Sequence, residues 1–247
     1  MSNRPFIVLL LTALIPLAVC YAAPGGWRKG YDPLDDPFYH QAQTDYRVVW
    51  HDFNSTAEAL RKTIGATNAE AVVLLGQIQT NAAFLAAKWD VWFRKHVASA
   101  SYTSGDDYLE TLRGDLRMLH RVKKPKAGEE PLGVLRDVAF DLQLKGDNCR
   151  QSGDGLGKEI KVRVHTKAGG KEVGGFEVYY APRGLVDIKS AHDRFPRQSS
   201  PTDEKILCPG RYVVWARKQG FTSEQVTQGI GGHGETHLEV DLEVPAD

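Results

Sequence analysis

Hydrophobic positions recur at two different spacings along the chain, and the change between them divides it into a helical half and a strand half. From Ala71 to Phe93 apolar residues return every three or four positions, as on one face of an α-helix. Further on, Ile160, Val162 and Val164 alternate with polar neighbours, which is typical of a half-buried strand. We therefore predict an α+β protein whose helices precede its strands.

Two capping sequences mark helix starts in the first half. Ser55-Thr56-Ala57-Glu58 and Thr67-Asn68-Ala69-Glu70 both fit the capping box, in which a hydroxyl and a carboxylate bind otherwise unsatisfied amides. A long helix is predicted to follow the second box up to about Val97, and another to run from Asp107 to Val122. Because antiparallel helices bury each other's apolar stripes, residues 54–126 are predicted to form a helical hairpin.

Residues 24–53, before the hairpin, combine many aromatic side chains with Asp-Pro pairs. Proline interrupts a helix, so we interpret this segment as a strap that docks on the body and leads into a short helix near Tyr39 to Asp52. Its aromatic rings could instead stack on sugar rings, which makes Trp27 a candidate carbohydrate contact.

The stretch from Lys123 to Pro131 holds two prolines and one apolar residue, and we predict the domain linker there. The next stretch, Leu132 to Cys149, fits a helical spacing, although its second half also alternates as in a strand. We favour the helix, since Gly146-Asp147-Asn148 suits a helix end. Residues 127–157 are therefore predicted to be a linker and a connecting helix.

Alternating strands separated by Gly- and Pro-rich turns fill residues 158–247, which indicates a small antiparallel β-sandwich. Lys167 to Gly175 is predicted to be a hairpin connection. The residues predicted to face inward are Ile160, Val162, Val164, Phe176, Val178, Tyr180, Tyr212, Val214, Ala216, Leu238, Val240, Leu242 and Val244.

Ordered motifs run through this strand half: Val164-His165-Thr166, the glycine turn Gly169 to Gly175, then Leu207-Cys208-Pro209-Gly210-Arg211-Tyr212-Val213-Val214 and Gly220-Phe221. From about Glu159 to Val244 the pattern resembles the carboxypeptidase regulatory-like and PEGA-type domains. The resemblance implies an Ig-like or transthyretin-like sandwich that acts as a spacer, adhesion or ligand-binding module and rarely carries chemistry. The chain departs from that pattern in its long connection, Arg183 to Lys205, and lacks the PEGA tetrapeptide.

The first 23 residues have the pattern of a signal peptide, with an apolar run from Phe6 to Val19 followed by small residues. The run is shorter than the roughly 20 residues of a spanning helix. We expect cleavage after Ala22 or Ala23, and a secreted or periplasmic protein without a transmembrane helix. Lipidation at Cys20 is the less favoured alternative, since a valine precedes it where bacterial lipoprotein signals carry a small residue.

Charge and cysteine content bear on two questions: whether the protein binds nucleic acid and whether it holds a disulfide. The chain has 31 Lys+Arg and 31 Asp+Glu, and this balance gives no global field for nucleic acid, so no nucleic-acid partner is predicted. Cys149 and Cys208 remain after cleavage, and an oxidising compartment favours a disulfide between them. Closing a loop of about 60 residues would stabilise the fold by roughly 4 kcal/mol in the chain-entropy model.

The segment from His233 to His237 is the sharpest candidate for metal chemistry. In a strand, His233, Glu235 and His237 would share one face, and two imidazoles with a carboxylate suit zinc. The alternative is a solvated outer face, because Glu239 and Asp241 continue the same face.

Other candidate binding residues are basic or aromatic. Arg113, Arg117 and Arg121 lie at helical spacing and could hold an anionic envelope polymer, or else form the solvated face of a packed helix. Trp215 points away from the predicted core, where it either stacks on a ligand or is covered by arginine stems.

The chain has neither a nucleophile-elbow motif nor a phosphate-binding loop. We therefore expect a non-enzymatic protein without a cofactor. The leading hypothesis is an exported binding or structural protein of the cell envelope, whose sandwich loops meet a protein or polysaccharide partner. The connection Arg183 to Lys205 and the strap are the favoured recognition surfaces. The alternative is a metal-dependent hydrolase that uses His233, Glu235 and His237.

Overall fold

The protein is described by a computed structural model that covers residues 37–64, 66–96, 102–125, 127–152, 159–232 and 235–246. For residues 37–43, 90, 92–96 and 102–107 it describes the backbone alone. The expected signal peptide, Cys20, Trp27 and His233 lie outside the described residues, and the described helices and strands all belong to one unit, Asp32–Asp247.

Four α-helices in the described ranges enclose a common core. They are α1 (Pro37–Thr63), α2 (Ala69–His96), α3 (Tyr102–Arg121) and α4 (Pro131–Gln151). α1 and α4 each pack against both α2 and α3, so the predicted hairpin is completed into a four-helix bundle. The largest side chains of its core include Tyr46, Trp50, Phe53, Leu60, Leu75, Ile78, Leu85, Trp89, Tyr108, Leu112, Leu119, Leu135 and Leu142.

α1 contains the short helix predicted near Tyr39 to Asp52. It runs on without a break through the boundary predicted at Asn54, so the helix start predicted at the first capping sequence is wrong. Its buried stripe comprises Tyr46, Val49, Trp50, Phe53, Ala57 and Leu60. The hydroxyl of Ser55 does not cap a helix start but donates to the carbonyl of Asp52 at 3.2 Å. Burial of a continuous apolar stripe outweighs the local capping signal.

The start of α2 lies where the second capping sequence predicted it. Asn68 is the residue that caps it, since its Oδ1 accepts a hydrogen bond from the amide of Ala71 at 3.1 Å. The hydroxyl of Thr67 donates backward to the carbonyl of Ile64 instead. The capping sequence therefore predicted the position of this helix start correctly, but the capping side chain is Asn68 and not the neighbouring Thr67.

α4 confirms the helix predicted over Leu132 to Cys149. It is a full member of the bundle, however, and not a connector between domains. The predicted linker, Lys123 to Pro131, joins α3 to α4 within the bundle. The chain passes from helices to strands between Gln151 and Ile160.

Nine strands in the described part of the chain form two sheets. In chain order they are β1 (Ile160–Ala168), β2 (Lys171–Glu172), β3 (Glu177–Pro182), β4 (Asp193–Arg194), β5 (Lys205–Leu207), β6 (Gly210–Lys218), β7 (Phe221–Thr222), β8 (Val226–Ile230) and β9 (His237–Glu243). In the first sheet β1 lies between β9 and the pair β2 and β5. In the second β6 lies between β3 and the pair β7 and β8, and β4 extends β3.

The α+β architecture with helices before strands is confirmed. Every residue predicted to face inward is buried except Leu238, which is partly buried against the same core. The hairpin connection predicted over Lys167 to Gly175 is also confirmed. Gly169 and Gly170, both with positive φ, join Ala168 of β1 to Lys171 of β2. The pairing of β1 with β9 is parallel, whereas the other described pairings are antiparallel.

The long connection Arg183 to Lys205 is fastened to both sheets. After two 3-10 turns it adds β4 to β3, and Phe195 enters the sandwich core. Thr202 then exchanges hydrogen bonds with the backbone of Val164 in β1, at 2.9 and 3.0 Å. Its longest exposed run is therefore short, Pro196–Ser199.

The bundle meets the sandwich at a pair of glycines. A Cβ on Gly184, just after β3, would overlap the carbonyl of Gly114 in α3. Arg117, one helical turn further along α3, donates to the carbonyl of Gly184 at 3.3 Å. Backbone thus lies against backbone here, which only glycine permits.

Replacing Gly184 by alanine is expected to lower the free energy of unfolding by about 3 kcal/mol, because α3 and the turn must move apart. Gly174→Ala is the matched control, since its Cβ would lie at an ordinary 3.5 Å from the carbonyl oxygen of Gln198. Urea unfolding of both variants measures the difference. Equal stability of the two would contradict the close approach.

Candidate functional site

The junction between bundle and sandwich buries a lysine and an aspartate. Lys145 of α4 has a fully buried side chain, and its Nζ lies 2.5 Å from Oδ2 of Asp115 in α3. The first residue of β6, Gly210, lies against this lysine, since a Cβ there would be 3.4 Å from Nζ. The pair therefore joins α3 and α4 directly beneath the start of β6.

Asp141, one turn before Lys145 on α4, is a second buried carboxyl beside Asp115. Burial, and then the negative charge of Asp115, raise the pKa of Asp141 to about 8. Neither of its oxygens has a hydrogen-bond donor among the described residues. Asp141 therefore keeps its proton at neutral pH, next to the negative charge of Asp115.

Asp137, one turn earlier on α4, ties the same helix to the second sheet. Its oxygens lie 2.7 Å from Nη1 of Arg211 in β6 and 2.6 Å from Nη2 of Arg183. Burial alone would raise the pKa of Asp137, but the two guanidinium groups hold it below its ordinary value. Asp137 is thus an ionised carboxylate shared by two arginines.

Asn148 extends this line of polar contacts to the far end of α4. Its Nδ2 donates to the carbonyl of Gly231, after β8, at 2.9 Å. Gly231 has a φ of 92°, and a Cβ there would lie 2.9 Å from that same nitrogen. A single face of α4 therefore contacts the sandwich from Asp137 to Asn148.

A cleft of about 340 Å³ opens beside the Asp137–Arg183 pair, where α4 begins. It is lined by Met118, Arg121, Glu129, Glu130, Gly133, Val134, Asp137, Arg183, Val186 and Val213. Nη1 of Arg183 is buried and has no hydrogen-bond partner among the described residues. The N-cap residue of α4, Glu130, makes no side-chain capping bond.

The basic stripe of α3 is matched by acidic groups of the chain itself. Arg117 binds Asp187 through both ends of its guanidinium, at 2.5 and 3.1 Å, and Arg121 reaches the same carboxylate at 3.2 Å. Arg113 pairs with Glu110 at 2.6 Å. Arg117 and Arg121 therefore dock α3 on the turn after β3, whereas Arg113 pairs within α3.

Trp215 is covered. Only 1% of it is exposed, because Tyr179 stacks on its ring and the His192 ring meets it edge-on at 4.8 Å. The guanidinium of Arg217 lies 5.8 Å from the ring centre. Of the two alternatives for Trp215, the structure shows the covered ring.

The two described residues of the predicted metal set, Glu235 and His237, lie in different surroundings. Oε2 of Glu235 accepts a hydrogen bond from the amide of Gly231 at 3.2 Å, whereas His237 is exposed on β9. Within the described ranges, no cluster of three or more His, Cys, Asp or Glu side chains is arranged to hold a metal ion. With His233 undescribed, the metal site stays a prediction.

Cys149, near the end of α4, and Cys208, just before β6, are both buried in the core of the bundle. Burial raises the pKa of the Cys149 thiol. Both cysteines also act on the pKa of Tyr108, which burial raises well above its ordinary value. The two residues thus share one environment, and the disulfide between them stays a prediction.

The sequence reasoning did not single out Asp115, Asp141 or Lys145. The signal was present, since Asp137, Asp141 and Lys145 follow one another at four-residue steps. They form a second stripe of α4, partly buried at Asp137 and buried at Asp141 and Lys145, next to the apolar stripe that faces the bundle. A helix with two buried stripes packs between two layers, and the search for one apolar face missed this.

Comparison with protein families, with curated proteins and with solved structures found no match to the chain. No described helix has the length and apolar character that crossing a membrane requires. The resemblance of the strand half to carboxypeptidase regulatory-like domains accordingly rests on its motifs alone.

Replacing Asp141 by asparagine is expected to change how stability depends on pH. The folded protein keeps the Asp141 proton up to about pH 8, whereas an unfolded chain releases it near pH 3.9 (about the model-peptide value). This carboxyl therefore makes stability fall as the pH rises between those values, by at most about 1.4 kcal/mol per pH unit. Asparagine stays neutral and removes the fall.

Urea unfolding between pH 5 and about 8 measures the effect, which should favour Asp141→Asn progressively as the pH increases. Asp147→Asn on the same helix is the control, because 47% of the Asp147 side chain is exposed. Parallel pH profiles for wild type and Asp141→Asn would contradict the protonated carboxyl.

Cys149 and Cys208 are expected to show no reaction with a thiol reagent when protein isolated from its native compartment is denatured. The two cysteines would then be joined, and reduction should lower the free energy of unfolding by about 2–4 kcal/mol. Cys208→Ser should be equally destabilised, and unaffected by reductant. Detection of two reactive thiols in the denatured wild type would contradict the disulfide.

Proposed function

We propose that the protein is an exported, non-enzymatic binding protein of the cell envelope. Its bundle and sandwich act as one rigid scaffold that presents a surface to a protein or polysaccharide partner. The observation that carries the proposal is a line of ion pairs at the junction: the buried pair of Asp115 with Lys145 and the partly buried pair of Asp137 with Arg211. Separating Asp115 from Lys145 would leave a buried charge uncompensated, at a cost of about 3–5 kcal/mol.

The surroundings of these charged groups support a structural role rather than a catalytic one. Only 1% of the Lys145 side chain and 5% of the Asp115 side chain are exposed, so a substrate does not reach them. Asp137 accepts hydrogen bonds from two guanidinium groups, which makes it a poor base. Structural ion-pair networks, like active sites, gather titratable groups in this way.

Export and the strand motifs support the same proposal. The first 23 residues have the composition of a signal peptide. The resemblance of residues 159–244 to carboxypeptidase regulatory-like domains implies a spacer, adhesion or ligand-binding module. An envelope protein with such a module binds a partner and does not need a reactive site.

The exposed run Pro196–Ser199 is the recognition surface that we favour. It is held on one side by Phe195, in the sandwich core, and on the other by Thr202, which is bonded to β1. A loop fixed at both ends loses little conformational entropy when it binds. Arg197 lies in this run with 74% of its side chain exposed.

A photoreactive side chain introduced at Arg197 tests this surface in intact cells. It is expected to give a covalent adduct with one envelope component, identified by mass spectrometry, because the run faces the partner. Lys62 is the matched control, since it is also basic and 73% of its side chain is exposed, on α1. It should give no adduct.

An adduct at Lys62 and none at Arg197 would show that the recognition surface is on the bundle. An adduct at neither position would contradict a partner at the loop. Retention of the protein in the cytoplasm with its N-terminus uncleaved would contradict the proposal as a whole.

A further inference from the structure

We propose that the partner at the exposed run Pro196–Ser199 is an acidic polysaccharide, a chain of uronic acid sugars. Its carboxylates bind in a second cleft, which lies between this run and the turn that joins β6 to β7. The inference deepens the proposed function and rests on it, because Gln198 belongs both to the exposed run and to the lining of this cleft.

The cleft lies at the end of the second sheet, between two exposed backbone segments. Its volume is about 530 Å³, within the roughly 300–1,000 Å³ of ligand-binding pockets. On one side Gly175 donates its amide to the carbonyl of Gln198 at 2.7 Å. On the other side Gln219 and Gly220 form the turn between β6 and β7. All four residues are exposed, so a ligand can reach them.

Two cations of β6 line the cleft, Arg217 and Lys218. Since side chains alternate along a strand, they leave β6 on opposite faces. Arg217 is exposed on the face that carries Trp215, and Nζ of Lys218 would lie 3.8 Å from a Cβ at Gly175. A sugar chain that crosses the end of the strand therefore meets both cations.

The guanidinium of Arg217 is held by aromatic rings and not by an acid. Its Cζ lies 5.0 Å from the ring centre of Tyr179 and 5.8 Å from that of Trp215. Among the described residues no carboxylate pairs with it. A guanidinium that stacks on a ring keeps the N–H groups at its edge available, and these match the two oxygens of a carboxylate.

The charge of the cleft favours an anion. Among the described residues of its lining Glu177 is the only acid, against Arg217 and Lys218. Oε1 of Glu177 lies 3.0 Å from Nη1 of Arg194, and its Oε2 accepts a hydrogen bond from the hydroxyl of Tyr179 at 2.7 Å. The cleft therefore has a net positive charge, and its one carboxylate is already bonded within the fold.

The uncharged lining favours a sugar over a peptide as the carrier of the carboxylates. Gln219 and Thr222 are exposed and offer both donors and acceptors, as the hydroxyl groups of a sugar require. Phe221 is half-buried and is the only apolar side chain in the described lining. A protein partner is usually anchored by side chains that fill a desolvated pocket, whereas the apolar face of a sugar ring needs one aromatic side chain.

Isothermal titration of the purified full chain with uronate tetrasaccharides tests the inference. Tetramers of galacturonate, mannuronate and guluronate and a hyaluronan tetrasaccharide are titrated at low ionic strength. At least one is expected to bind with a millimolar or lower Kd, and to bind more weakly as salt is added, because the contacts are between exposed charges.

Three analogues of the bound tetrasaccharide separate charge, sugar and chain length. The methyl ester keeps the rings without the charge, and should bind roughly tenfold more weakly because the charge-assisted hydrogen bonds are lost. Acetylated tetraglutamate keeps the charges without the rings, and should also bind more weakly. The uronate monomer meets one cation at a time and should bind more weakly than the tetramer.

Gln219→Glu places a negative charge in the cleft at an exposed turn position, away from the core. It should weaken binding roughly two- to fivefold, the effect of an exposed charge pair, at an unchanged midpoint of thermal unfolding. Gln219→Lys should bind at least as tightly as the wild type. Gln143→Glu on α4 is the matched control, because it is exposed and α4 meets β6 at its other end, near Gly210. It should bind as the wild type does.

The inference would be overturned if none of the tetrasaccharides bound to the wild type at millimolar concentration, or if Gln219→Glu bound as tightly as the wild type. Equal binding of tetraglutamate would identify an acidic peptide as the ligand, and equal binding of the monomer a free sugar acid. A protein adduct at Arg197 without uronate binding would contradict the polysaccharide and leave the proposed binding function in place.

Discussion

The buried ion pair between Lys145 and Asp115 is the contact on which the arrangement of the whole molecule depends. Moving charges out of water is unfavourable unless each finds its partner in good geometry. The 2.5 Å separation exists only when α3 and α4 keep one relative position and Gly210 of β6 closes over them. The pair therefore specifies a single orientation of bundle and sandwich, beyond whatever it adds to stability.

Neighbouring features follow from that orientation. Gly114 and Gly184 can approach because the ion pair and the Asp137 contacts hold α3 and α4 against the second sheet. The Cys208-Pro209-Gly210-Arg211 corner is the point where the sandwich docks on α4. The cleft beside Arg183 is what remains where the two layers diverge.

The protonated Asp141 shows how the molecule accommodates two buried carboxyls side by side. Leaving both ionised would place like charges together in a region from which water is excluded. Retaining the proton of Asp141 removes that repulsion. A carboxyl with a strongly raised pKa is usually associated with an active site, but here it lies at the junction between the bundle and the sandwich.

The sequence by itself determined the order of helices and strands, the start of α2 and nearly all inward-facing strand residues, because backbone periodicity and capping are local properties. It failed where α1 crossed Asn54, since a long apolar stripe outweighed a local capping signal. Only tertiary structure decided that Trp215 is covered and that Asp137 binds Arg211, 74 residues away in sequence. Periodicity identifies a face of a helix or strand, but the partner that covers it is set by packing among distant segments.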